Sequence, residues 1–285
     1  MTKRLTIAIP SKGRLREPTW SLLDASGLSP QEPGERVLMA QCRNADVDIL
    51  FVRADDVPEY VQDGVVDCGV TGLDLVAEKK CDVDVLLRLG FGLCSLQAAV
   101  PTEDSAHTLS DLDGRRIATA HPHLAATTLA ERGITADLIT VTGSAEITPR
   151  LGLADAIIDL VSSGSTLRTN GLRTIGTLFE AEAVLISRAG VSHSESVKTL
   201  TTMLSSVVNA RASRYLMCNV PTDAVEAVSA LLPTTGSPSV MPLATVGIVA
   251  LHALVPAKDI WQLLPQLEGL GATSILTLPV ERMVP

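Results

Sequence analysis

The sequence predicts an α/β protein with two lobes followed by a small ferredoxin-like domain, and three observations carry that reading. Short apolar runs alternate with amphipathic stretches through the first half, the alternation restarts beyond residue 95, and the tail follows a βαββαβ order. With 285 residues the chain exceeds the roughly 100 to 200 residues of an ordinary domain, so several compact units are expected. Aromatic residues are only 2% of the chain, so Val, Leu, Ile and Ala must supply nearly all the packing.

In order, strand-like Leu5 to Ile9 precedes helix-like Glu17 to Ala25, Val47 to Val52 precedes Asp56 to Gln62, and Val66 to Val70 precedes Leu73 to Lys79. The apolar run Ser95 to Pro101 then leads into a second series: Arg116 to Thr119, helix-like Leu124 to Arg132, Leu138 to Val141, helix-like Ala145 to Leu151, and Ala156 to Val161. A strand at Ala183 to Ser187 and a long helix at Glu195 to Arg211 return to the first lobe. The expected units are therefore 1–95 with 183–211, 96–182, and 212–285. Two such lobes joined by crossing strands form a cleft, where ligands usually sit. In the tail, strand Tyr215 to Val220, helix Asp223 to Leu232, strands Ser239 to Leu243 and Ile248 to Val255, helix Lys258 to Leu270 and strand Thr273 to Leu278 complete the order, with Gly271 closing the second helix.

Charge and cysteine content narrow the function. A formal net charge of −9 and the lack of any Lys/Arg run argue against nucleic acid and remove long-range steering of an anionic ligand. A phosphorylated substrate would be held by local devices: helix-start amides, a few placed cations or a metal ion. Five cysteines, odd in number and without a CxxC pair, read as reduced thiols rather than a disulfide framework or zinc site. The N-terminus turns polar too early for a signal peptide, and the run Gly247 to Pro256 is far short of the ~20 residues that span a bilayer, so a cytoplasmic protein is expected.

The chemistry concentrates in GLADAIIDLVSSGSTLRTNGL, Gly152 to Leu172. The loop Ser162, Ser163, Gly164, Ser165, Thr166 and Leu167 opens a short helix, Ser165 to Asn170, with hydroxyls and unpaired amides suited to a phosphate dianion. Asp155 and Asp159 are an even number of positions apart and so share one face of the strand that feeds the loop, as two ribose acceptors would. A plain N-cap is the competing account of the loop. Lys12 and Arg14, just past the first strand, stand where open α/β sheets bind ligands, or are simple surface cations. His121 and His123 form an HxH pair without a third ligand, and no metal site is read there.

That stretch closely resembles the phosphoribosyl pyrophosphate signature of the ATP phosphoribosyltransferases, and the likeness runs through most of the chain. Ser11, Lys12, Gly13, Arg14 and Leu15 resemble the family's KGRL-like loop; GVVDCGVTGL, Gly64 to Leu73, resembles its Gly-rich turn, with Asp74 following. RLGFG, Arg88 to Gly92, resembles its crossover, and IATAHPHL, Ile117 to Leu124, its strand leading into a helix, with His121 where relatives commonly carry Tyr. Ser144 to Pro149, containing Glu146, is similar to its acidic helix, and Arg211 to Met217 and Ala272 to Met283 are similar to the long form.

The resemblance implies a body like that of periplasmic binding proteins, an ACT-like regulatory tail, and a reaction in which N1 of ATP attacks the anomeric carbon of phosphoribosyl pyrophosphate in histidine biosynthesis. It also implies Mg²⁺, dimers assembling to hexamers, and feedback inhibition by L-histidine. Under it Lys12, Arg14 and Glu146 are catalytic, while Asp155, Asp159, Ser162, Ser163, Gly164, Ser165, Thr166 and Leu167 hold phosphoribosyl pyrophosphate. ATP meets Gly13, Leu15, Thr71, Gly72, Asp74, Gly90 and Phe91, and the inhibitor meets Asn219, Ser239, Ala272, Thr273 and Ser274. Two rival readings share the bilobal body: a prephenate dehydratase-like enzyme, which has no use for the SSGST loop, and a small-molecule-binding protein, which would usually carry an export signal.

Overall fold

The computed structural model describes residues 4–31, 38–162, 164–190, 194–233 and 237–284. Its contacts divide the chain into two compact units, Met1–Ser21 with Leu28–Lys198, and Leu22–Gly27 with Thr199–Pro285.

The larger unit holds two sheets. It begins with β1 (Leu5–Pro10), α1 (Arg16–Ala25), β2 (Met39–Gln41), β3 (Val47–Val52), α2 (Val57–Gln62), β4 (Cys68–Gly72), α3 (Leu73–Lys79) and β5 (Val83–Arg88). There follow β6 (Cys94–Pro101), β7 (Arg116–Thr119), α4 (Pro122–Ala130), β8 (Asp137–Thr140), β9 (Ala156–Val161), α5 (Ser165–Thr169), β10 (Leu172–Ala181) and β11 (Ala183–Arg188). The first sheet has the order β2-β3-β1-β4-β11-β5, with β1 parallel to both β3 and β4. The second has the order β10-β6-β9-β7-β8, with β7 parallel to β8 and β9.

In each sheet the chain reverses its direction of travel beside one central strand. The first sheet does so between β1 and β4, the second between β7 and β9. Loops at the carboxyl ends of such strand pairs diverge and leave a crevice, the usual ligand position in open α/β sheets. Both crevices here are flanked by residues that the sequence singles out: 11–15 and 71–74 in the first, 119–121 and 159–162 in the second.

Period-two burial explains why these runs are strands. In the second sheet Leu96, Ala98, Val100, Ile117 and Ile158 pack on one face, while Ala99, Ala118, Ile157 and Val161 pack on the other. Burying an Ile or Leu fully contributes about 1.5 to 3 kcal/mol each, so these two layers anchor the strand ends that shape the second crevice.

The two lobes are joined by adjacent segments. Leu89 N donates to Ala183 O and Ala183 N to Phe91 O, and the Glu182 carboxylate accepts from Gly90 N at 2.9 Å and from Arg88 at 3.0 Å.

The second unit contains α6 (Glu195–Arg211) from residue 199 onward, then β12 (Ser213–Pro221), α7 (Val225–Leu231), β13 (Ser239–Pro242), β14 (Ile248–Pro256), α8 (Ile260–Gly269) and β15 (Thr273–Pro279). Its four-stranded antiparallel sheet, β13-β14-β12-β15, has the ferredoxin-like order. Leu216, Cys218 and Val220 of β12 and Leu251, Ala253 and Val255 of β14 face Val228 of α7 and Leu263 and Leu267 of α8. Gly271, one residue past the α8 cap, adopts φ +84°, the left-handed geometry that ends helices.

Three local expectations change. Ala145 to Leu151 is not a helix: one 3₁₀ turn, Ala145–Ile147, gives way to further turns. Pro149 has no N–H to give to the Ala145 carbonyl, which is taken instead by the Thr148 amide and hydroxyl. Strands β2, β5 and β10 come in addition to those expected. β10 is masked in sequence because its apolar alternation is broken around Gly176, where its pairing with β6 shifts register. Helix α4 starts at Pro122, two residues before the expected Leu124, because proline fits the first turn of a helix.

Candidate functional site

A cavity of about 190 Å³ in the second lobe is lined by Glu146, Asp159, Leu160, Val161, Ser162, Gly164, Thr166 and Leu167. Strand β9 delivers Asp159 to its wall, and the turn after β9 wraps its mouth. Gly164 adopts φ +68° at the cap of α5, a conformation that L side chains rarely take, and so lets the backbone reverse into α5. Leu167 is buried beneath the turn and fixes it to the core of Ile157, Val161 and Leu172. Ser162, Ser165 and Thr166 are exposed, and Ser163 lies outside the described residues.

Electrostatics distinguishes the carboxylates. Burial pushes the Asp159 carboxyl above its usual range; a backbone bond from Leu160 N and the nearby His121 oppose this, and Glu146 adds to it. His121 Nε2 lies 3.9 Å from Asp159 Oδ1, and its Nδ1 is buried without a partner among the described residues. Asp155 stands at the opposite end of β9. Its carboxylate accepts from Arg116 Nη2 at 2.8 Å and from Arg116 N at 3.0 Å, and the hydrogen bond and charge of Arg116 hold it below the usual carboxylate range.

The structure thus separates the two aspartates expected to share a ribose. Asp155 precedes the strand and does not line the cavity, and four extended residues span about 13 Å, more than one sugar ring can bridge, so equal parity does not bring the two together. Asp155 is a surface ion-pair partner, and the ribose assignment is withdrawn from it.

A second cavity of about 420 Å³ shares Ser162, Gly164 and Leu167 with the first and adds Gln97, Arg168 and Arg173. Sequence reading passed over these three residues. Gln97 belongs to a strand that pairs with β9 in register with Asp159, a juxtaposition only the sheet order reveals.

The first-lobe candidates gather at the other crevice. Lys12, Gly13 and Arg14 form the exposed turn after β1, with Leu15 buried behind them. Arg14 Nη2 donates to Cys94 Sγ at 3.0 Å, which opposes the upward push of burial on that thiol. Thr71 and Gly72 end the neighbouring β4, and Asp74, 4% exposed, lies in the first turn of α3. Thr71 Oγ1 donates to Ala54 O at 2.6 Å. Gly90 and Phe91 occupy the inter-lobe crossover.

In the second unit Asn219 pairs with Thr273 in register, next to Ala272 and Ser274. Ser239 sits on the far edge strand, two strand spacings or about 10 Å from the strand of Asn219 and three or about 14 Å from that of Thr273, so the sheet does not bring it to the others.

Residues 53–206 match the family model described as HisG: ATP phosphoribosyltransferase. The chain belongs to the ATP phosphoribosyltransferase family. Residues 210–282 match the model for the HisG C-terminal domain, which marks the long form. An ATP phosphoribosyltransferase of Methanosarcina acetivorans is 42% identical over 99% of this chain and 100% of its own, and one of Gemmatimonas aurantiaca is 41% identical over the same shares. A solved structure titled ATP phosphoribosyl transferase (HisG:HisZ) complex from Thermotoga maritima covers 72% of this chain and 98% of that one, with a TM-score of 0.61 and 26% identity. The chain is therefore a transferase of histidine biosynthesis that joins ATP to phosphoribosyl pyrophosphate, releasing pyrophosphate. No helix among the described residues is long and apolar enough to cross a membrane.

Proposed function

We propose that phosphoribosyl pyrophosphate sits in the 190 Å³ cavity with its 5′-phosphate on the Ser162 to Thr166 turn and its ribose hydroxyls on Asp159. The observation that carries this reading is the convergence of Glu146, Asp159, Ser162, Gly164, Thr166 and Leu167 on one space. Typical whole-ligand pockets span roughly 300 to 1,000 Å³, so this smaller cavity suits the sugar-phosphate half alone.

Adenine N1 of ATP forms a bond to the anomeric carbon as the bond to pyrophosphate oxygen breaks and the pyrophosphate leaves with the electron pair. Positive charge grows on the sugar, and the Glu146 carboxylate on the cavity wall stabilises it. Negative charge grows on the leaving group, which Lys12 and Arg14 meet from the β1 turn. Gly13, Leu15, the Thr71 to Asp74 turn, Gly90 and Phe91 orient the nucleotide. The work is positioning and charge stabilisation rather than covalent catalysis.

Mg²⁺ enters with the substrate. Among the described residues no three His, Cys, Asp or Glu side chains are grouped to hold a metal, so the residues do not fit a resident ion. Phosphate oxygens and water fill most of a Mg²⁺ shell in such complexes.

The 212–285 tail binds L-histidine near Asn219, Ala272, Thr273 and Ser274 and inhibits the catalytic body formed by the two sheets of the larger unit. The enzyme works in the cytoplasm as a homo-oligomer built from dimers toward hexamers.

The test is direct. Pure protein mixed with ATP, Mg²⁺ and phosphoribosyl pyrophosphate yields phosphoribosyl-ATP by mass spectrometry, and calorimetry shows Asp159→Asn and Thr166→Ala weakening phosphoribosyl pyrophosphate but not ATP. Equal affinity in both variants would remove the sugar phosphate from this cavity.

A further inference from the structure

We propose that His121 is a positioning residue for this reaction, its Nε2–H holding the Asp159 carboxylate in the orientation that receives the ribose hydroxyls, from a helix start that Glu78 clamps across the two lobes. The proposal rests on the assignment of Asp159 to the ribose.

Three observations converge on it. His121 follows the end of β7, the strand that pairs with β9, and so flanks the crevice of the second sheet. Its Nε2 is 3.9 Å from Asp159 Oδ1, and among the described residues it is the only basic side chain within ion-pair distance of that carboxylate. Its Nδ1 is buried with no hydrogen-bond partner among them. An orphaned buried N–H is rarer than an under-satisfied lone pair, so a neutral ring favours the lone pair on Nδ1 and the proton on Nε2, facing Asp159.

The main chain of His121 is fixed. Its N–H donates to Thr119 Oγ1 at 2.9 Å, and its carbonyl accepts from Ala125 N at 2.9 Å. Helix α4 has no side-chain cap of its own. The Glu78 carboxylate of α3 supplies one from the first lobe, accepting from His123 N at 3.1 Å and Leu124 N at 2.8 Å. Removing Glu78 would free two donors at the helix end and loosen its N-cap residue, His121.

The surroundings show why Asp159 needs such a partner. Glu146 reaches it electrostatically from the turn before β9, and burial already disfavours its charge. A separation of 3.9 Å is too long for a hydrogen bond, and catalytic contacts commonly tighten once the substrate is bound.

The experiment uses the full chain and steady-state kinetics of His121→Leu, His121→Gln, Glu78→Ala, Asp159→Asn and the His121→Leu/Asp159→Asn pair, with thermal unfolding as a fold check. A hydrogen bond to a charged group accounts for about a tenfold effect, so His121→Leu raises the KM for phosphoribosyl pyrophosphate about tenfold while the KM for ATP and kcat stay within about twofold. His121→Gln, whose amide N–H reaches about as far as Nε2, restores most of the loss. The double variant is no worse than Asp159→Asn, because the pair acts as one unit. Glu78→Ala raises the same KM in the parent chain and not in His121→Leu.

Additive losses in the double variant, equal damage from His121→Leu and His121→Gln, or an unchanged KM in His121→Leu overturn the proposal while leaving Asp159 on the ribose. An unchanged KM in Asp159→Asn overturns the ribose assignment itself, and the proposal falls with it.

Discussion

One aspartate stands just before β9 and another near its carboxyl end, and their surroundings make them opposites. Asp155, at the amino end, is paired with Arg116 and held in its charged form below the usual carboxylate range. Asp159, near the carboxyl end, is half-buried beside Glu146 and the Ser162 to Thr166 turn, with its charge disfavoured. Identical chemistry four residues apart becomes a surface ion pair in one place and a cavity-lining carboxylate, the proposed ribose acceptor, in the other. The difference follows from sheet architecture, because the carboxyl ends of β7 and β9, not their amino ends, flank the crevice of this sheet.

The largest expected effect breaks or sharpens this contrast directly. Losing one hydrogen bond to a charged group costs about 1.5 to 3 kcal/mol, so Asp159→Asn raises the KM for phosphoribosyl pyrophosphate at least about tenfold, while Asp155→Asn changes it less than about twofold. Equal losses in the two variants would restore the shared-ribose arrangement that strand parity alone suggested. Gly164→Val and Thr166→Ala, which alter the turn beside Asp159, belong with the first variant: calorimetry should show about tenfold weaker phosphoribosyl pyrophosphate binding with unchanged ATP binding. Unchanged binding in both would reduce the turn to a helix cap.

Most of the architecture was legible because it rests on strong periodicity. The βα alternation around Leu5 to Ile9, Val47 to Val52 and Val66 to Val70, and the βαββαβ tail, appear as read. β10 escaped because Gly176 and two register shifts blur its pattern, and Ala145 to Leu151 misled because helix-forming residues surround a proline. At the site, residues contiguous in the chain were readable: Asp159 and the turn after it share one wall. Residues brought in by sheet order were less so. Gln97 and Arg173 reach the adjoining cavity through pairings of β6 with β9 and β10, and Glu78 reaches α4 from the other lobe. Side-chain parity gives direction along a strand but not distance, which is why Asp155 was grouped with Asp159.

Regulation offers a second test of the same contrast. If L-histidine acts from the tail, coupling of about 1 to 3 kcal/mol makes it weaken phosphoribosyl pyrophosphate, and the substrate weaken histidine, by one common factor of roughly 5 to 150. Asn219→Ala and Thr273→Ala should lose that inhibition while keeping the uninhibited rate, and Asp155→Asn should leave it intact. Full inhibition in both tail variants, measured by titrating histidine into the assay, would move the regulatory site away from the Asn219 and Thr273 pairing.

The smallest effect is on stability, and it has opposite signs at the two ends of β9. Asp155 has a folded pKa below its ordinary 3.8, so its contribution is present above about pH 4 and is lost as the pH falls through the depressed folded value. Asp155→Asn therefore lowers the melting temperature at neutral pH. Because Arg116 and Asp155 are 48% and 40% exposed, salt screens the pair and the drop shrinks as ionic strength rises. Asp159 has a folded pKa raised above 3.8, so the folded state binds its proton more readily than the unfolded chain does. Its ionisation subtracts stability above the folded value, and that loss vanishes as the pH falls below 3.8. Asp159→Asn therefore raises the melting temperature at neutral pH even as it weakens substrate binding, the usual trade between stability and a functional site. Differential scanning calorimetry of both variants at pH 7 and near pH 3.5 measures this. The two shifts should point in opposite directions at pH 7 and shrink together in acid; shifts of the same sign at pH 7 would mean that the two ends of the strand do not differ in the way their surroundings imply.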